Sequence, residues 1–440
     1  MIKDKARTFL VLIGLMIFSV SLTAQEKLKL TVNQAVELGL KNSKTLHSSS
    51  MRVLSANAKL KEINASRLPS IKLSASYRRL SEVDPFSIAT PFGTFDISPS
   101  ILNNYSTQLS LMQPLFTGFR LSGSSDLAEY SAKATEEDYN KDESDLVFNI
   151  KSAYWSLYKA GQMKIVSDEN VLQIKSHLED ARNLLNAGML TQNEVLKLEV
   201  QLSDALYKQI EADNSVKLAS VALCNVMSIP LNTEFEIVYS AEVITKIFDD
   251  LNSLLETANQ NRPELKAADY RVKSSEAGIT IAKSSWYPQV SLFGNYYYSR
   301  PNQRILPTQD KFDGTWDAGI SLNMNIWDWL TTSHQTEQAE ATLAQSSDML
   351  GIIKDNITLE VTQNYLNLNQ SKRKIEISQL AVKQAEENMR VTSEKYKSGL
   401  ALTSDTIDAE LALLMAKTNY VNSITDYELA KARLEKSIGQ

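Results

Sequence analysis

Aspartate and glutamate are the residues whose spacing first suggests chemistry. Asp405 and Asp408 stand i, i+3 in a helical pattern and therefore share one face of the helix. Asp405 also falls in the first turn, where an acid complements the helix dipole. Glu194 closes Thr191-Gln192-Asn193-Glu194, which reads as a capping box. Most other carboxylates are spread along helical stretches, the pattern of solvated faces. His47, His177 and His334 are isolated and read as packed or solvated side chains. The single cysteine, Cys224, reads as a small core residue. Neither a P-loop nor a glycine-rich dinucleotide fingerprint occurs. With no catalytic constellation, the chain is expected not to be an enzyme and to need no cofactor or metal. A hydrolase using paired carboxylates would require a pocket that nothing in the sequence localises.

The ends and the charge narrow the setting. Lys3, Lys5 and Arg7 precede an apolar run of 14 residues from Phe9 to Leu22, too short for a comfortable membrane span. Thr23-Ala24 then offers a small-residue cleavage site, so residues 1–24 are expected to be an export signal; an uncleaved anchor helix is the alternative. Their removal takes the formal net charge from −6 to −8, a mildly acidic balance that argues against nucleic acid as a partner. An exported chain with one cysteine has no intrachain disulfide and must draw its stability from packing or assembly. No stretch after residue 24 is apolar enough for a membrane helix. Entry into a membrane would have to be as strands.

The elements that position the acids are long helices. No proline lies between Leu115 and Ile229, and none after Pro307. Proline is badly tolerated inside helices, so these spans are the helical candidates. Residues 120–186 and 330–397 read as long helices, and at ~1.5 Å per residue each reaches on the order of 100 Å. Apolar stripes such as Val147-Ile150-Tyr154-Leu157 and Val361-Tyr365-Leu368 run along them. Each ends at a glycine turn, Gly188-Met189 and Gly399-Leu400, which suits a left-handed C-cap. Returning helices follow at about 191–227 and 403–438, making two hairpins with tips near 188 and 399.

The chain is internally duplicated. Helical patterns stop at Pro69 and at Pro288, 219 residues apart, and alternating patterns begin. Glu37 with Glu256, Asn42 with Asn261, and Arg52-Val53 with Arg271-Val272 repeat at that offset. Gly188 and Gly399 are 211 residues apart, as are Tyr154 and Tyr365, and Glu199 and Glu410. The first repeat is assigned to residues 25–228 and the second, opening with an equatorial segment, to 229–440.

Each repeat carries two strand candidates: 70–80 and 104–115, then 289–299 and 315–327. Trp316, Ala318, Ile320, Leu322, Met324 and Ile326 alternate with Asp317, Gly319, Ser321, Asn323 and Asn325. About ten residues is the length of a tilted membrane-crossing strand. A half-buried soluble sheet also alternates, but the aromatics favour the membrane. Trp286, Tyr287, Trp316, Trp327 and Trp329 stand at or beside strand ends, as in an interfacial girdle. Segments 81–104 and 300–314, rich in proline, read as loops. Four strands cannot close a barrel, and open edges in lipid leave backbone groups unpaired, so a membrane-spanning version must oligomerise.

Leu30-Thr31-Val32-Asn33-Gln34-Ala35-Val36-Glu37 resembles the opening of the TolC-type outer-membrane efflux factors. Asn261-Arg262-Pro263-Glu264-Leu265, the Trp286-Tyr287-Pro288 switch, and Tyr396-Lys397-Ser398-Gly399 followed by Asp405 and Asp408 resemble later motifs of that family, in its order. The resemblance spans residues 25–440. It implies an α+β membrane protein. A homotrimer would form a twelve-strand outer-membrane β-barrel, four strands per chain, continued by a long periplasmic α-helical barrel. A mixed equatorial belt would come from about 229–260 and the C-terminal region. Function would be a passive exit duct in efflux or type I secretion. Its partners would be outer-membrane lipid, a periplasmic adaptor (membrane fusion) protein docking at Gly188, Met189, Gly399 and Leu400, and an inner-membrane transporter. Asp405 and Asp408 match acids that ring the tunnel mouth, where threefold symmetry would gather six carboxylates that repel one another and attract cations. Tyr396 matches a gating tyrosine, and Glu194 holds the acidic position on the other hairpin that it is expected to meet. Ala401 stands where the family has a basic gating residue. The rival reading is a soluble periplasmic structural or adaptor protein of paired long helices with a small capping sheet.

Overall fold

The computed structural model describes residues 28–84, 86–98, 100–238 and 250–440. The expected export signal, and residues 239–249 of the expected equatorial segment, lie outside them. In chain order the elements are β1 (Leu28–Leu30), α1 (Val32–Asn42), α2 (Lys44–Ala65), β2 (Ser70–Arg79), β3 (Phe86–Thr90) and β4 (Gly93–Ser98). Then come β5 (Asn103–Thr117), α3 (Arg120–Asn186), α4 (Gln192–Val226), β6 (Phe235–Ile237), α5 (Leu251–Asn261) and α6 (Pro263–Lys283). A 3-10 turn at Ser284–Trp286 leads into β7 (Gln289–Arg300), β8 (Asp313–Asn323), α7 (Thr331–Lys397) and α8 (Thr403–Ser437). Two compact units result: Met1–His47 with Asp142–Asn261 and Thr358–Gln440, and Ser48–Lys141 with Arg262–Ile357.

In the second of these units, β2, β5, β7 and β8 form one antiparallel sheet in that order. Its two helix-to-strand switches have the same cause. Pro69 follows α2 and Pro288 follows the 3-10 turn, and a residue without an N–H cannot continue either helix. Gly118, at φ +60, makes the return from β5 to α3. A Cβ there would lie 2.3 Å from the Ser284 carbonyl oxygen, so only glycine fits the turn. At Pro114 the β5–β7 register slips past Leu115, a bulge where the strand has no N–H to donate.

The fourth strand is shorter than the expected 315–327. It ends at Asn323, which pairs with Gln289, the first residue of β7. Beyond that point its neighbour would be Pro288, which donates nothing, so Met324 and Ile326 lie outside the ladder. The segment expected as a plain loop at 81–104 contains the β3–β4 hairpin, closed at Thr90-Pro91-Phe92-Gly93 with Gly93 at φ 129.

In the other unit the helices pack around Tyr154, Ile150 and Leu30, each almost wholly buried. The Tyr154 hydroxyl lies 3.1 Å from the Leu30 carbonyl oxygen and 3.0 Å from that of Val238, at the C-terminal end of a short parallel β1–β6 ladder. Burial pushes that hydroxyl's pKa up to about 12. Both hairpins end in the same backbone motif. Met189 N–H donates to Leu184 O (2.9 Å) and Gly188 N–H to Leu185 O (2.9 Å). Leu400 N–H donates to Lys395 O (2.8 Å) and Gly399 N–H to Tyr396 O (3.0 Å). These are Schellman caps, with the glycines at φ 73 and 71. Among the described residues no helix is long and apolar enough to cross a membrane.

Candidate functional site

The sheet sorts most of its side chains by polarity across its width. Ile71, Leu73, Ala75 and Tyr77 of β2 stand opposite Leu111, Leu109, Thr107 and Tyr105 of β5. Leu109 and Leu111 face Tyr296 and Gly294 of β7, which face Trp316 and Ala318 of β8; Leu292 faces Ile320. This face stays uncovered within the chain: Ile71 is 70%, Ile320 68% and Trp316 72% exposed. The opposite face is mostly polar, with the Met112–Phe293 pair as an apolar exception. Gln108 Nε2 donates to Asn295 Oδ1 (3.2 Å), and Asn295 Nδ2 donates to Asp317 Oδ1 (2.8 Å), a ladder across three strands. An uncovered apolar face backed by a mostly polar one is the inverse of a soluble sheet, whose apolar face packs on a core.

Aromatic side chains bracket the apolar band. At one end Phe116, Phe119 and Tyr287 meet edge to face with centroids 5.3 and 5.4 Å apart. Trp327 and Trp329 pair at 5.7 Å, and Trp286 is half exposed. At the other end Tyr77, Tyr105, Phe312 and Tyr298 form a chain of ring contacts of 4.9, 5.7 and 5.2 Å. Trp316 stands at this second end, opposite Tyr296. From Tyr287 to Tyr298 the strand rises about 36 Å, or roughly 28 Å along the normal at a tilt of ~40°, close to the height of an outer-membrane apolar band.

The hairpin tips form the second candidate site. Leu178, Ala181, Val195, Leu198 and Tyr396 make one buried cluster, with Ala401 and Ile407 packed on it, so residues of both hairpins share a core. A Cβ on Gly399 would sit 3.8 Å from Met189 Cε, an ordinary contact, so the two tips lie side by side. Met189 and Leu400 are exposed at 65% and 79%. Tyr396 and Glu194 share no hydrogen bond. Its ring is held in the leucine cluster and its buried hydroxyl has no partner. Glu194 instead accepts from Lys197 Nζ at 2.8 Å. Lys197 holds the Glu194 carboxyl below the usual range.

The expected capping box at Thr191 is absent, because the Thr191 side chain makes no cap bond. Asp405 does act in capping: the Leu402 N–H donates to its Oδ2 at 2.9 Å. Asp405 and Asp408 are both exposed on α8. Sequence reasoning missed His177, which meets Glu410 in the interior between α3 and α8. The one sequence signal was that Glu410 repeats Glu199. Among the described residues no group of acids, histidines or cysteines could hold a metal ion.

The outer membrane efflux protein family matches residues 35–227 and 254–440 of this chain. The chain is 22% identical over 316 residues to the outer membrane protein TolC of Vibrio cholerae, covering 71% of this chain and 72% of that one. It is 22% identical over 438 residues to the outer membrane efflux protein BepC of Brucella suis, covering 99% and 91%. The fold resembles the crystal structure of VceC from Vibrio cholerae, with a TM-score of 0.78 at 18% identity, covering 93% of this chain and 96% of that one. It also resembles the Campylobacter jejuni CmeC outer membrane channel, with a TM-score of 0.76 at 18% identity, covering 93% and 85%.

Proposed function

The chain belongs to the outer membrane efflux protein family, that of the TolC-type channels, and we propose that three copies assemble into one duct. The protein is an outer-membrane exit channel for efflux or secretion, reaching into the periplasm, and is not an enzyme. The observation that carries the assembly is the four-stranded sheet with an uncovered apolar face and two free edges, β2 and β8. In lipid those edges must pair, and the nearest closed solution for three copies is a twelve-strand barrel. The polar ladder at Gln108, Asn295 and Asp317 then lines the lumen. The helical hairpins of three copies continue the duct as a tunnel, and the segments around residues 229–260 and the C-terminal region form its equatorial belt.

At the tips, Gly188, Met189, Gly399 and Leu400 dock a periplasmic adaptor that joins the duct to an inner-membrane transporter. The exposed apolar side chains of Met189 and Leu400 support that role. Asp405 and Asp408 form the acidic mouth, and their exposure supports this. Trp286, Tyr287, Trp316, Trp327 and Trp329 sit at the membrane interfaces. Membrane fractionation tests the assembly. The protein is expected as an integral outer-membrane trimer, and Ile320→Arg should weaken insertion by roughly 2–4 kcal/mol while Ser321→Arg is tolerated. Recovery of a soluble periplasmic monomer, or equal insertion of the two variants, would contradict it.

A further inference from the structure

His177 lies 11 residues before the tip glycine Gly188, and Glu410 lies 11 residues after Gly399. Both are therefore about 16 Å from the tips along their helices. They meet through His177 Nδ1 and Glu410 Oε1, with relative exposures of 5% and 2%. The second carboxylate oxygen, Oε2, is buried without a partner. The repeat gives this contact its meaning. Glu199, the counterpart of Glu410, pairs at 2.9 Å with Arg182 of its own hairpin, and both are exposed. The counterpart of His177 is Asn388, which offers no base. Glu410 has turned from its own hairpin to the other.

A buried polar pair with an unsatisfied oxygen is a poor source of net stability, and an apolar pair of similar volume usually holds at least as well. Its distinguishing property is what happens on separation. Parted apolar side chains expose oily surface, whereas a parted histidine and carboxylate regain water. We infer that the buried His177–Glu410 pair is a releasable latch that holds the two hairpins of one chain in register behind their tips. The latch fixes the joined state and lowers the free energy of leaving it. It rests on the reading of the tips as the mouth of the duct. Other ion pairs between the hairpins, Lys417–Glu169 (2.7 Å), Lys436–Asp145 (2.6 Å), Lys151–Glu435 (3.0 Å) and Lys397–Asp180 (3.7 Å), keep more contact with solvent than His177 and Glu410 and are screened by it.

The test uses the full-length trimer in lipid bilayers, with Cys224→Ser and spin labels at Met189→Cys and Leu400→Cys. Labelled chains are diluted among unlabelled ones so that only distances within a chain are read. The parent should show one dominant short tip-to-tip distance. His177→Ala and Glu410→Ala should each raise the long-distance population several-fold. The exchange His177→Glu with Glu410→His should restore the parent distribution. The apolar pair His177→Leu with Glu410→Leu should push the long-distance population below that of the parent. If the single variants fail to assemble, the exchange and apolar pairs decide. Unchanged distances in the single variants, or no restoration by the exchange, overturns the latch. The readout involves neither ions nor cargo, so an intact acidic mouth with a failed latch, or the reverse, is seen separately.

Discussion

The two hairpins share a backbone and differ in charge. Each pairs a 67-residue helix with a 35-residue return, and each ends in a Schellman cap on glycine. At the offset of 211 residues, Glu194 and Lys197 of the first tip correspond to Asp405 and Asp408 of the second. The first pair is a salt bridge at 2.8 Å, while the second is two exposed acids on one face. Leu198 and Val195, which fill the tip cluster, correspond to the buried Ala409 and Thr406. Duplication has kept what sets helix length and termination. At the tips the side chains then diverged into one hairpin that neutralises its acid with a lysine and packs the core, and another that presents two exposed acids on one face.

If the first hairpin is the packing partner, its core should be the more sensitive. Leu198→Ala removes a side chain that is 1% exposed and should cost about 2–5 kcal/mol, read by thermal unfolding or by proteolysis at residues 187–190. Ala409→Leu in the second hairpin overfills its site and should cost less, roughly 1–3 kcal/mol. An equal loss from both would dissolve the distinction.

A second contrast lies further along the returning helices. Lys217 of the first is exposed, whereas its counterpart Glu428 is buried, with its pKa pushed up to about 7 chiefly by that burial. The folded chain then holds a proton that the unfolded chain releases near pH 4.5. Stability should fall as the pH rises from about 4.5 through 7, by about 3 kcal/mol in total from this group. Glu428→Gln should flatten that dependence, measured as Tm against pH; Lys217→Gln should leave it unchanged. An unaltered pH profile in Glu428→Gln would place the titration elsewhere.

Smaller effects are expected where the hairpins agree. Gly188→Ala and Gly399→Ala should each lose about 1 kcal/mol, since both glycines have positive φ. Met189→Asp and Leu400→Asp, at exposed positions, should leave unfolding unchanged but weaken adaptor binding in a pull-down. The mildest change is Lys197→Asp, which gives the first tip the acid pair of the second. Stability should barely move, while block of the channel by polyvalent cations should increase.

What was legible in the sequence is what is local. Helix spans followed from missing prolines, tips from glycine, and sheet faces from a period of two, because each signal sits in contiguous residues. The β1–β6 pair was not legible. Each strand has three residues, and Leu28–Leu30 meets Phe235–Ile237 across some two hundred residues. The β3–β4 hairpin did leave a trace in Phe86-Ser87-Ile88 and Pro91-Phe92-Gly93, masked by the prolines around it. At the tips, residue types and spacing singled out the acids. They could not say that Asp405 reaches back to the Leu402 N–H, or that Tyr396 turns into a leucine cluster. Those choices depend on the neighbouring hairpin, as does the meeting of His177 with Glu410.

Single-channel recording of the assembled protein in planar bilayers measures the division of labour between the tips most directly. Polyvalent cations are added on the periplasmic side of the parent, of Asp405→Ala with Asp408→Ala, and of Glu194→Ala with Lys197→Ala. The expected result is a low-conductance, cation-selective pore whose block and selectivity are lost in the first double variant and kept in the second. A pore whose block survives loss of Asp405 and Asp408, or disappears equally in both variants, would contradict the assignment of the acidic mouth to the second hairpin.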